Sequence, residues 1–179
     1  MIRFLKDRGR HRVALLFVVA ILSIGGCGVY SFTGASIPSH LQSVAIPLVE
    51  DNSVNTLTAL DEQFTEMLLQ RFVRQTRLRL ETTEESADAL LRARIDRYAN
   101  LPASVGGNEQ ATLNRVTLAV TVTYIDQKEN ATLLDRSFTA FEEYDPADPE
   151  QGLTGEVEAA RAALEKIADD IFTAATSNW

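Results

Sequence analysis

Val116-Thr-Leu-Ala-Val-Thr-Val-Thr-Tyr124 decides the fold. Val116, Leu118, Val120, Val122 and Tyr124 point one way, and Thr117, Ala119, Thr121 and Thr123 the other. A strict period of two built largely from β-branched residues is a strand with one face in a core and one face outside it. Downstream, 126–130 is a polar hairpin turn, and 134–144 returns as a further strand before Asp145-Pro-Ala-Asp-Pro149 ends the sheet. Upstream, Ala89, Leu91, Ala93 and Ile95 alternate with Arg92, Arg94 and Asp96, which makes a half-buried strand ending near Tyr98. Pro102, Gly106 and Gly107 mark 101–111 as a flexible connection.

Two stretches switch to helical spacing. Leu57, Leu60, Phe64, Leu68 and Phe72 predict a helix over roughly 56–75, and Val157, Ala160, Leu164, Ile167, Ile171 and Ala175 predict another running close to Trp179. Ser43-Val-Ala-Ile-Pro-Leu-Val49 reads as a first strand, with Pro47 pointing to an edge position or an irregularity, and 77–80 as a short one. The order β-α-β-β-β-β-α gives two helices that each need one face covered, and strands that are apolar on one side only. The expected fold is α+β: a two-layer sandwich, an open mixed sheet of four to five strands with both helices on one face. Arg92, Arg94, Thr117, Thr121 and Thr123 then lie on the face that no helix covers.

The N-terminus is an address. Arg3, Lys6, Arg8, Arg10 and Arg12 precede an apolar run over 13–24 that spans roughly 18 Å as a helix, short of a hydrocarbon core of roughly 30 Å. A basic head, a short apolar stretch and small residues make a secretory signal peptide. Ile24-Gly-Gly-Cys27 is similar to the lipobox of bacterial lipoproteins, with Ile24 where leucine is commoner. In that pattern Cys27, the only cysteine, is acylated and becomes the new N-terminus, and two or more acyl chains give the stable anchoring that one cannot. The expected organisation is a signal peptide over 1–26, a lipidated tether over 27–42 and one α+β domain over 43–179.

The signal region holds five of the 17 basic residues and one of the 25 acidic ones, so the rest carries a net charge of about −12. Such a surface repels phosphate backbones and argues against nucleic-acid binding. Chemistry is sparse: beyond the signal stand one histidine, His40, and one cysteine, which leaves no basis for a Cys-His nucleophile or a Cys/His zinc site. Gly106-Gly107 lacks the lysine of a phosphate loop, and the acidic pairs read as solvated surface. No catalytic residue, metal ligand or cofactor is expected. The arginines fall in two runs, Arg71, Arg74, Arg77, Arg79 and then Arg92, Arg94, Arg97. They either neutralise neighbouring carboxylates or present planar forks to a ligand's phosphate or carboxylate.

Cys27-Gly-Val-Tyr-Ser-Phe, Val44-Ala-Ile-Pro47, Arg74-Gln-Thr-Arg-Leu78 and Ala87-Asp-Ala-Leu-Leu91 together resemble the lipopolysaccharide-assembly lipoprotein family, LptE. The resemblance spans 27–172. It implies a non-enzymatic, lipid-anchored protein on the periplasmic side of the outer membrane. Such a protein plugs and helps assemble the LptD-like β-barrel and assists lipopolysaccharide insertion at the cell surface. The resemblance carries no contact residue across by motif; Arg92, Arg94, Thr117, Thr121 and Thr123 are the expected contact with that barrel or with lipopolysaccharide because no helix covers their face. Two other readings stand beside it. One is an assembly or activator lipoprotein of the TolB or curli-secretion type; the other is a membrane-tethered hydrolase using paired carboxylates.

Overall fold

A computed structural model of the chain describes residues 36–54, 57, 59–105, 111–150 and 154–177, all within one unit, Gly34–Trp179. The signal peptide, Cys27 and the start of the tether lie outside the described residues. Among the described residues six strands and two α-helices follow in the order β1 (Ser43–Ala45), β2 (Glu50–Asp51), α1 (Leu60–Phe72), β3 (Arg79–Leu80), β4 (Ala89–Val105), β5 (Ala111–Asp126), β6 (Ala131–Tyr144) and α2 (Gly155–Thr176). The sheet runs β3-β1-β4-β5-β6, with β2 added to the flank of β4. β1 and β2 run parallel to β4, and β4, β5 and β6 form an antiparallel meander. The sheet is therefore mixed and open, with β3 and β6 at its edges, as expected from the sequence.

Val116, Leu118, Val120, Val122 and Tyr124 of β5 are completely buried. They join one apolar cluster with Leu60, Phe64, Leu68 and Phe72 of α1 and Ala160, Leu164, Ile167 and Ile171 of α2. Small residues Ala159, Ala160, Ala163, Ala168 and Ala175 are buried along α2, which packs on β5, β6 and α1. Phe72 links the layers, its ring centroid 5.7 Å from that of Tyr124 and 5.5 Å, edge-on, from that of Phe172. No helix among the described residues is long and apolar enough to cross a membrane.

Four departures from the sequence expectation have physical causes. The strand expected over 43–49 is broken at Pro47, which cannot donate to a ladder; the Val49 amide instead donates to Thr65 Oγ1 of α1 at 3.0 Å. Pro47 thus marks an irregularity, since β1 itself lies between β3 and β4. β4 does not end near Tyr98: it pairs with β5 as far as Val105, so 101–105 is strand and not loop. Pro102 is accommodated because the register shifts immediately beyond it, between Pro102 and Ser104. The first helix is shorter than 56–75: it begins after Ala59, which has a left-handed φ of 64°, and is capped at Val73.

The fourth departure is at the tether. From Ser36 onward it belongs to the domain, because Ile37 and Leu41 are buried in the main core. Arg77 donates to the carbonyls of Ile37 and Pro38 at 2.8 and 2.6 Å, and the Ser36 amide donates to the Thr176 carbonyl at 2.8 Å. The domain boundary therefore falls before 43.

Candidate functional site

Both helices lie against the face that carries Val116 to Tyr124, which leaves the opposite face of β4, β5 and β6 uncovered among the described residues. A shallow groove of about 330 Å³ lies on it, lined by Pro47, Leu48, Glu50, Glu84, Arg92, Arg94, Thr121 and Thr123. The antiparallel register sets Arg92 opposite Thr123 and Arg94 opposite Thr121, so period-two alternation alone brings these four side chains together. Leu48 is 58% exposed at the rim, since the break around Pro47 turns it outward.

The arginines are not bare. Arg92 donates to Glu84 Oε2 at 2.5 Å, and Arg94 Nε donates to Asp96 Oδ1 at 2.6 Å. Thr121 Oγ1 donates to the second Asp96 oxygen at 2.5 Å and lies 2.9 Å from Ser137 Oγ. Burial pushes the Asp96 carboxyl up, but the Thr121 hydroxyl and the Arg94 guanidinium outweigh it and hold the group below the ordinary value of 3.8. Exposed pairs of this kind contribute about 0–1 kcal/mol each. The alternative of local neutralisation is thus realised at Arg92 and Arg94, and the groove is polar and charge-balanced.

Thr117 is on the same face but not in the groove, since it stands between Ala99 and Phe141 farther along the sheet. Sequence alternation misses Arg97. A bulge between Ile95 and Arg97 inserts one residue, so that Asp96 and Arg97 are both exposed and Tyr98 returns to the core. Among the described residues Arg97 is an unpaired cation, opposite Ala119 on the open face. At the far end Arg115 donates to Glu143 Oε1 at 3.0 and 2.6 Å, and its guanidinium lies 4.4 Å from the ring centroid of Phe141, which is 50% exposed.

A second cluster holds the tether. Asp126, 1% exposed, receives His40 Nε2 on one oxygen and the turn amides of Lys128 and Glu129 on the other, at 2.9 and 3.0 Å. Burial raises the Asp126 carboxyl, but the bond from His40 and the turn amides prevail and keep it below its ordinary value. Lys128 Nζ donates to the His40 carbonyl at 2.8 Å and meets Asp88 at 2.9 Å. His40 Nδ1 is 3.9 Å from Glu129, so His40, Asp126 and Glu129 form the kind of donor group a metal uses. Both Asp126 oxygens are already engaged, however, and the arrangement is a clamp on 36–42.

The model of one sequence family, described as LptE, Lipopolysaccharide-assembly, matches residues 41–175. No curated protein matches the chain. Among solved structures, a hypothetical protein from Chlamydia trachomatis is 12% identical and superposes with a TM-score of 0.56, covering 77% of this chain and 99% of its own. A protein from Xanthomonas campestris, also 12% identical, gives a TM-score of 0.53 over 78% of this chain and 89% of its own. The rare lipoprotein B of Shewanella oneidensis, again 12% identical, gives 0.51 over 72% and 91%. At these identities the likeness is one of fold.

Proposed function

The chain belongs to the LptE lipopolysaccharide-assembly family, whose members are non-enzymatic lipoproteins, and we propose that it plugs and helps assemble an LptD-like outer-membrane barrel and assists lipopolysaccharide insertion at the cell surface. In this reading Cys27 carries the lipid, the protein sits on the periplasmic side of the outer membrane, and the helix-free sheet face meets the barrel or lipopolysaccharide. The observation that carries the reading is the family match over 41–175, supported by the character of that face. A barrel lumen is polar and wet, and a plug needs a surface that tolerates such a wall. Arg92, Arg94, Thr117, Thr121 and Thr123, joined by Arg97, supply hydroxyls and guanidinium groups over a rigid antiparallel meander. Asp126, Lys128 and Arg77 hold 36–42 on the domain.

Affinity purification from detergent-solubilised outer membrane tests the proposal. A large β-barrel recovered in stoichiometric amount with lipopolysaccharide is the expected result. Recovery of a different assembly partner and no barrel would overturn it.

A further inference from the structure

β6 is a sheet edge with an unusual lack of protection. Among the described residues its only ladder is with β5, and from 134 to 144 that ladder runs without a register shift. This is roughly 36 Å of strand with one row of unpaired backbone donors and acceptors, at ~3.3 Å per residue. Edges are normally guarded by proline, lysine, bulges or short length. This run has no proline or lysine, and its centre, Ser137-Phe-Thr-Ala-Phe141, has no charge.

We propose that two copies of this chain pair along β6, antiparallel about a two-fold axis through Thr139, to form one continuous sheet. Thr139 is the midpoint of the regular run, so the register sets 134 against 144 and leaves no residue of the run unpaired. The same register sets Arg136 against Glu142 twice. Arg136 has no carboxylate partner in its own chain among the described residues, only the Phe138 ring at 5.2 Å. Glu142 meets Lys166 of α2 through Oε1 and stays partly exposed, its side chain at 28%. Leu134 then faces Tyr144 and Phe138 faces Ala140 on the helix side, while Ser137 faces Phe141 on the other. Asp135 opposes Glu143, a like-charge pair softened because Arg115 already holds Glu143. Shifting the axis to Phe138 or Ala140 sets Leu134 or Phe138 against Glu142 and loses both Arg136 pairs. A second copy is therefore the occupant whose charges this edge matches.

The test uses the full chain in detergent with no barrel present, so its outcome is independent of the proposed function. In a Cys27→Ala background Thr139→Cys supplies the sole thiol, at opposed positions about 4.5–5.5 Å apart between Cα atoms, within disulfide reach. Oxidation should cross-link Thr139→Cys to a dimer. Ser137→Cys alone should not cross-link, but mixed with Phe141→Cys chains it should. Sedimentation should give a dimer for the otherwise unaltered chain. Thr139→Lys, which sets two cations on the axis, should move the dissociation midpoint up by roughly tenfold or more at an unchanged melting point. A monomer at every soluble concentration, a dimer indifferent to Thr139→Lys, or equal cross-linking at Ser137 alone would overturn the proposal.

Discussion

Arg94 and Thr121 stand opposite each other in the β4–β5 ladder, and both reach the carboxylate of Asp96. Period-two alternation puts Asp96 on their side of the sheet, and the bulge between Ile95 and Arg97 adds Arg97 to it. Asp96 thus withholds one arginine of the groove from any external anion.

Removing that carboxylate should free Arg94 without unfolding the domain. Asp96→Ala is expected to change stability by no more than about 1 kcal/mol, since the pair is largely exposed. Partner recovery at low salt should rise, and the gain should fade as salt screens it. Melting curves and pull-downs at two ionic strengths check both halves.

The core makes a contrasting demand. Leu164 is fully buried among β5 and α1 side chains, so Leu164→Ala should cost about 2–5 kcal/mol and lower the melting point clearly. Thr121→Ala, on the open face, should lower it far less. Equal effects in calorimetry would contradict the assignment of the two faces.

How far these faces could be read in the sequence depends on the element. The alternation from Val116 to Tyr124 is uninterrupted, and it placed core, helices and open face correctly. In β4 the same logic holds from Ala89 to Ile95 and then fails, because a bulge leaves no trace in the pattern of residue types. Arg97 was visible as part of the second arginine run, but its place on the open face was not, for that reason. Pro102 and Gly106-Gly107 resemble loop residues, whereas the long pairing with β5 carries β4 through Pro102. Burial of Ile37 and Leu41 was equally hidden, since the groups that hold 36–40, Thr176 for Ser36, Arg77 for Ile37 and Asp126 for His40, are far away in the chain. The arginine runs were visible, and Asp96 was read on the face of Arg94, but Glu84 as the partner of Arg92 could be recognised only in three dimensions.

Acid should loosen the clamp on 36–42. Asp88, Asp96 and Asp126 are all held below their ordinary value of 3.8. A depressed folded value means the ionised form stabilises the fold, fully above the unfolded value and progressively less as pH falls through the folded one. The melting point should therefore stay level at mildly acidic pH and drop below about pH 4. Asp126→Asn should flatten that drop and, by weakening the acceptor for His40 and two turn amides, cost about 1–3 kcal/mol at neutral pH. A melting series from neutral to acid pH, on both proteins, measures this.

Anchoring is checked at Cys27. Cys27→Ala should remain an uncleaved precursor and lose the acyl mass increment, whereas the unaltered chain should carry a lipidated N-terminus at residue 27. Intact-mass measurement of membrane-extracted protein distinguishes the two.

The open face is the centre of the account, and one pull-down tests it most directly. A solubilised LptD-like barrel is captured by the unaltered chain and by the Arg92→Glu/Arg94→Glu double variant, at low and moderate salt, after melting curves establish that both are folded. Charge reversal at two exposed positions should alter stability by only several tenths of a kcal/mol. If the face meets the barrel or lipopolysaccharide, the variant should recover both at least tenfold less well, and recovery by the unaltered chain should decline as salt rises. Equal recovery of barrel and lipopolysaccharide by the two folded proteins would contradict the account.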